Sequence, residues 1–194
     1  PALTVIGEVV NLKQDIDWFE TLPLFGKTVV VTRAEEQAET FIQLLREKGA
    51  EPLAFPVIEI FPPENWGAID SALAQLNQYC GVIFTSVNGV NRFMERLKEK
   101  DGDIRDLKGL RIYVIGKKTE TAVRNLGIRA DLVPEEFVAE SLLKSMGNVR
   151  GKHFLLPRAA VARETLPEQL RALGATVDVA PVYQTLPPKN RNKE

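Results

Sequence analysis

Four apolar runs in this chain each end in a short polar or basic corner and then give way to a helical pattern. They are Val29-Val30-Val31-Thr32-Arg33, Val82-Ile83-Phe84-Thr85-Ser86, Tyr113-Val114-Ile115-Gly116-Lys117-Lys118-Thr119 and Phe154-Leu155-Leu156-Pro157-Arg158. Unbroken apolar runs suit parallel strands covered on both faces, because a strand with one wet face would alternate instead. In open α/β sheets ligands collect beyond the carboxyl ends of the strands, where helix N-termini offer free N–H groups. Hydroxyls, glycine and cations at those ends point to a soluble, anionic small molecule.

The runs recur with helices between them. Strand 28–32 precedes a helix from Glu35 to Lys48, started by acidic residues and stopped by Gly49. A strand from Leu53 to Ile60 ends at Phe61-Pro62-Pro63. Then come helix 67–78, strand 81–85, helix 87–99, strand 110–115, helix 117–126, a short strand at 129–133 and a helix near 137–146. Strand 152–156 leads to a helix starting near Thr165, since Pro167 is tolerated only in a first turn. The last strand spans Thr176 to Tyr183. Ahead of the series, residues 3–10 have the composition of a strand, and 11–27 form a linker whose aromatics Trp18, Phe19 and Phe25 need something to pack on. The alternation predicts an α/β fold of flavodoxin-like parallel sheets with helices on both faces. The double prolines at 62–63 and 187–188 bracket residues 64–186 as one unit, and the first βαβ is too small to be stable alone.

Composition excludes several classes. A formal net charge of −1 gives no global attraction to nucleic acid or acidic membranes, so any anion site is local. No apolar run reaches the length of a membrane span and no signal-peptide pattern opens the chain. The single cysteine, Cys80, fits a reducing cytosol, hence a cytoplasmic protein, and its place beside strand 82–84 suggests a buried structural thiol. One histidine, His153, and one cysteine cannot build a zinc site, so no metal is expected. Gly116-Lys117-Lys118-Thr119 lacks the upstream glycine of a phosphate-binding loop, and no G-x-G-x-x-G is present. The first residue, Pro1, gives the chain the look of a piece of a longer one.

Individual corner residues have two readings. Thr32 and Arg33 serve equally well as a helix cap with a surface cation or as ligand contacts. Ser86 and Asn88 are open in the same way. Lys117, Lys118 and Thr119 follow Gly116, where exposed N–H groups would face an anion, and Arg158 with Arg163 could bind carboxylates. Tyr183, at a strand end, suits half-buried packing with a satisfied hydroxyl.

Taken in order, Val29–Arg33, Gly49-Ala50, Phe55-Pro56, Phe84-Thr85-Ser86, Val114-Ile115-Gly116 with Thr119, Pro157-Arg158 with Arg163, and Val182-Tyr183-Gln184-Thr185 resemble uroporphyrinogen-III synthase over about residues 27–188. Ahead of them, Pro1-Ala2, Val5-Ile6-Gly7-Glu8-Val9-Val10 and Trp18-Phe19 resemble the tail of a uroporphyrinogen-III C-methyltransferase, an enzyme that bacteria fuse to the synthase. The resemblance implies two α/β lobes, one inserted into the other. Residues 1–26 would be methyltransferase tail and linker, 27–60 the first part of lobe one, 61–184 the inserted lobe, and 185–194 the return, with the rest of lobe one and a wall of its cleft missing. It implies a lyase that closes hydroxymethylbilane, an octacarboxylate linear tetrapyrrole, with inversion of ring D through a spiro intermediate and without a cofactor. Tyr183 would be the catalytic hydroxyl donor. Substrate contacts would come from Ser86 and Thr119, then Arg33, Lys118 and Arg158, with Asn88 and Gly116 beside them. A piece of this extent would turn over weakly or not at all. Two alternatives stand: a non-catalytic tetrapyrrole-binding module serving the fused methyltransferase, and an unrelated flavodoxin-like domain for a phosphorylated ligand.

Overall fold

The computed structural model describes residues 4–13, 17–136 and 138–188, with nothing said of the Glu36 side chain. Parts of the proposed methyltransferase tail, the first residue of the expected helix at 137–146 and most of the return segment lie outside these residues. Contacts divide the chain into two compact units, residues 1–59 with 186–194 and residues 60–185.

The smaller unit holds a parallel pair, β1 (Thr28–Val31) and β2 (Glu51–Ala54), joined by helix α1 (Glu35–Glu47). Val31, Ala38, Leu45 and Ala50 make its small core, with Leu24, Val29 and Ile42 against it. The linker aromatics pack on one another: Trp18 on Phe19 and Phe19 on Phe25, both edge-to-face. Two expectations fail here. Of the run at 3–10, the described residues 4–10 form no strand; Glu8–Leu12 form a 3-10 helix with no buried residue, since the stretch has no sheet partner among the described residues. The run 53–60 is not one strand either. Phe55 and Val57 on either side of Pro56 still donate to the Val31 and Thr32 carbonyls, and only beyond Val57 does the chain part from this segment; β3 (Glu59–Phe61) joins the other sheet.

The larger unit is a five-stranded sheet ordered β3-β7-β6-β4-β5, with β4 (Gly81–Phe84), β5 (Arg111–Val114), β6 (His153–Ala159) and β7 (Thr176–Leu186). The pairs β4–β5, β4–β6 and β6–β7 are parallel. From β5 inward the order is that of a flavodoxin-like sheet, with β3, the first of these five strands along the chain, taking the place of the fifth strand. The direction of winding therefore switches between β4 and β6. Helices α2 (Gly67–Leu73), α3 (Val87–Glu99) and α4 (Lys117–Asn125) contribute to the core on one face, which holds Ile69, Phe84, Phe93 and Val123. Helices α5 (Ala139–Met146) and α6 (Thr165–Ala172) cover the other, around Ile83, Leu142, Phe154 and Leu170. The expected strand at 129–133 is only an isolated bridge from Leu132 to Tyr113. The expected helix 67–78 breaks after Leu73 and resumes as a 3-10 turn at Leu76–Gln78.

Cys80 corrects another expectation, because its side chain is exposed. Its backbone is fixed by bonds to His153 and Arg111, but it lies just before β4, outside the covered stretch of the sheet. At the same end Tyr79 donates its hydroxyl to Asp178 at 2.7 Å, and His153 bonds the same carboxylate oxygen at 2.9 Å. Burial, then the Asp178 carboxylate, pushes the Tyr79 hydroxyl well above its ordinary range.

Arg96 of α3 ties down α2. Its Nε and Nη2 each reach a different oxygen of Asp70 at 2.7 Å, and its guanidinium lies 4.6 Å from the Trp66 ring centre. Hydrogen bonding from Arg96, then Lys100, outweighs desolvation and holds the Asp70 carboxyl at about 2. A carboxyl depressed by folding contributes stability above its unfolded value of about 4, and that contribution is lost as the pH falls toward its folded value. Asp70→Asn is therefore expected to lower the urea midpoint at neutral pH, with the gap to the parent chain closing between about pH 4 and about pH 2. Denaturation curves across that range test it, and a gap that persists in acid would remove the pair from the acid response.

Candidate functional site

The candidate site lies at the carboxyl edge of the larger sheet, around the winding switch between β4 and β6. Ser86, directly after β4 and Thr85, is the N-cap of α3, and its Oγ accepts from the Gly89 N–H at 3.0 Å. Gly89 leaves little room for a side chain. A Cβ there would stand 3.1 Å from the Pro157 carbonyl oxygen, so the helix start sits tightly on β6. The same Ser86 Oγ lies 3.2 Å from the Tyr183 hydroxyl.

Tyr183 reaches Ser86 because of an irregularity that the sequence conceals. Arg158 pairs with Pro181, but the next residue, Ala159, pairs with Tyr183, so Val182 is extra on β7. Bulges of this kind re-aim side chains. Val182 and Tyr183, neighbours in sequence, therefore both face the same core. The Ala160 N–H bonds the Tyr183 carbonyl at 2.8 Å and holds the shift in place. Tyr183 is 8% exposed, with its ring packed and its hydroxyl at the sheet edge. With the Gly89 N–H on its oxygen, Ser86 can give its own proton to the Tyr183 oxygen, which leaves the tyrosine O–H to donate outward.

The remaining sequence candidates are scattered more widely. Gly116 takes φ 96° as the N-cap of α4, a left-handed conformation that suits glycine. Thr119 is buried in the first turn of α4, while Lys118 is exposed. Asn88 is half-buried in the first turn of α3. Arg33 belongs to the smaller unit, where its guanidinium reaches Gln37 at 3.5 Å. No hydrogen bond among those described joins Thr119, Lys118 or Arg33 to the Ser86–Tyr183 pair.

Arg158 is not the open corner cation that the sequence suggests. Strand β6 runs on to Ala159 because its pairing with β7 continues, and Arg158 is turned inward, 7% exposed as a whole residue. Its Nη1 donates to the Arg163 carbonyl at 2.9 Å and its Nη2 to the Glu164 carboxylate. Glu164 was not among the sequence candidates. A lone acid six residues from an arginine carries no pattern that would single it out. Beside Arg158 is an open cleft of about 270 Å³, lined also by Thr85, Glu140, Arg163, Thr165 and Leu166. Among the described residues no group of acids, histidines or cysteines could hold a metal ion, and no helix is long and apolar enough to cross a membrane.

A family model described as Uroporphyrinogen-III synthase HemD matches residues 39–194. The chain belongs to the uroporphyrinogen-III synthase family. The Uroporphyrinogen-III synthase of Synechococcus elongatus is 35% identical over 165 residues, 84% of this chain and 62% of that protein. The Porphyrin biosynthesis protein HemD of Ruminiclostridium josui is 32% identical over 187 residues, 95% of this chain and 37% of that protein. A mutant uroporphyrinogen III synthase from the extremely thermophilic bacterium Thermus thermophilus shares the fold, with a TM-score of 0.66 at 23% identity over 84% of this chain and 64% of that one. This synthase-family chain therefore spans less than two thirds of the length of each of these relatives.

Proposed function

We propose that the protein bearing this sequence is a uroporphyrinogen-III synthase, closing hydroxymethylbilane to uroporphyrinogen III with inversion of ring D. Membership of the family and its tetrapyrrole chemistry support the reading. The observation that carries it is the Ser86–Tyr183 hydroxyl pair at the carboxyl edge of the sheet. Tyr183 donates to the departing hydroxyl of the substrate, which leaves as water and generates an azafulvene-like cation. Ring D attacks through its substituted carbon, the spiro intermediate opens and recloses, and the proton released on rearomatisation balances the one spent. Without a protein the substrate closes to the uninverted isomer, so catalysis here consists of positioning and of electrostatic steering.

The larger unit, 60–185, is the inserted lobe in this proposal, and residues 27–59 with the segment after Thr185 belong to the outer lobe. In the larger unit substrate carboxylates are held by backbone N–H groups at Gly116 and by the side chains of Thr119, Asn88 and Lys118; Arg33 is a candidate contact of the smaller unit by itself. The test gives hydroxymethylbilane to the longest natural protein containing this sequence and separates the isomers by chromatography. Uroporphyrinogen III formed well above the uncatalysed rate is expected; the uninverted isomer alone would sink the proposal. The 194-residue chain by itself is expected to turn over slowly, because it spans 62% of a relative named for the activity.

A second reading concerns residues 1–26, taken as the tail of a fused methyltransferase. It is favoured by the match to the Ruminiclostridium josui protein, which covers 95% of this chain yet only 37% of that protein. The longer protein would then transfer methyl groups from S-adenosylmethionine to uroporphyrinogen III. If it bound that tetrapyrrole without any isomerising activity, the larger unit would be a holding module instead.

A further inference from the structure

We propose that Arg158 is a carboxylate-binding subsite that Glu164 keeps closed until a ligand carboxylate displaces it. The proposal rests on the synthase reading only in taking that carboxylate from a tetrapyrrole.

Two arginines of the same unit make the comparison. The Nε and Nη2 groups of a guanidinium form one edge, a fork that matches the two oxygens of a carboxylate. Arg96 uses both prongs, its Nε on one oxygen of Asp70 and its Nη2 on the other. Arg158 uses one. Its Nη2 meets a single oxygen of Glu164, while its Nε is buried without a hydrogen-bond partner. A buried donor left unmade is costly, and a carboxylate seated squarely on this edge would satisfy it.

The partners also differ in freedom. The Arg158 side chain is 8% exposed and enclosed in β6, whereas that of Glu164 is 51% exposed. Glu164 can swing into water and regain its hydration; Arg158 cannot leave. Glu164 is thus an internal stand-in that neutralises the buried guanidinium while no ligand is bound.

The surroundings favour an anion. Arg158 lines the cleft of about 270 Å³ where helices α5 and α6 both begin. Neither helix has a side-chain cap, so the positive ends of two helix dipoles lie at this cleft, while the Glu140 carboxylate on its lining and Pro167, which carries no N–H, confine the attraction to the Arg158 edge. The volume lies below the roughly 300–1,000 Å³ of pockets that enclose whole drug-sized ligands. It fits a side arm such as an acetate or propionate group rather than a macrocycle. The cleft lies at the same sheet edge as Tyr183 but against the opposite core, so an arm bound here would anchor a substrate away from its reacting end.

The test follows the Arg158 Nε–H resonance by NMR during titration with acetate and, separately, with inorganic phosphate. Acetate is expected to shift it, with saturation at about five-fold lower concentration in Glu164→Gln. Glutamine keeps an oxygen that can accept from Nη2 but not the charge that neutralises the guanidinium, so a thermal melt of the variant accompanies the titration. No acetate response in either protein would overturn the subsite, equal saturation would overturn the gating by Glu164, and stronger binding of phosphate would overturn the carboxylate assignment. A parallel titration uses uroporphyrin, a stable octacarboxylate, read by its fluorescence. Binding is expected to be about five-fold tighter in Glu164→Gln and at least ten-fold weaker in Arg158→Gln, with Arg158→Lys weakened because an ammonium offers no fork. Unchanged uroporphyrin affinity in both Arg158 variants would overturn the proposal. If acetate moves Arg158 while uroporphyrin fails to bind, the subsite stands and the tetrapyrrole reading falls.

Discussion

Replacing Tyr183 by Phe is expected to lower turnover of hydroxymethylbilane by about 10²- to 10⁴-fold, the range over which positioned proton donors contribute, while the fold survives. The change removes one oxygen and keeps the ring. Tyr183 is 8% exposed and its ring packs in the same core as Phe84 and Val182, so a phenyl group fills the space without a new cavity. The loss in stability is limited to one hydrogen bond, about 1 kcal/mol, because Ser86 keeps its bond from the Gly89 N–H. Rate and melting temperature therefore separate. Ser86→Ala should separate them less well, since it removes the cap of α3 as well as the partner of Tyr183 and so costs about 1 kcal/mol of helix stability. Rapid-quench rates for the longest natural protein, with thermal melts of the same samples, make the comparison. Unchanged turnover in Tyr183→Phe would take the hydroxyl out of the mechanism.

What the sequence revealed and what it hid follow from the range of the forces involved. Helix α3 could be placed because Val90, Phe93, Met94 and Leu97 repeat at helical spacing and Ser86 caps them, all within one short stretch. The buried runs at 81–84 and 112–114 were legible because both faces of their sheet are covered. The split after Val57 was not, because only the pairing of β3 with β7, more than a hundred residues on, takes that segment away from β1. The bulge opposite Arg158 and Ala159 was hidden for the same reason, although it is what turns Tyr183 toward Ser86. Cys80 is exposed although its neighbours are apolar, because composition around a strand says nothing of whether the residue just before it is covered. The candidate site was therefore half legible. The sequence marks Ser86 and Tyr183 singly; their contact, and the place of Glu164 on Arg158, are tertiary facts.

Phe154→Ala makes the opposite prediction, a loss of stability without a loss of intrinsic activity. Phe154 is fully buried near the amino end of β6, which lies between β7 and β4, and it meets the Tyr113 ring edge-to-face at 5.7 Å. Around it lie Ile83, Leu142, Leu156 and Leu170, contributed by strands and by both helices of that face. Truncation leaves a cavity that these neighbours can close only by moving together, and buried Phe→Ala changes cost about 3–5 kcal/mol. Against a domain stability of about 5–15 kcal/mol, that is a large share, and the urea midpoint should fall accordingly. The hydroxyl pair is at the carboxyl edge, against the other core, and Phe154 does not touch it. At low temperature, where the variant is still folded, turnover per folded molecule should match the parent. A loss below about 1 kcal/mol would mean that the face relaxes freely. A fall in turnover as large as that of Tyr183→Phe, with the fold intact, would mean that the two cores are coupled through β6 and that the sheet edge is not the self-contained site the geometry describes.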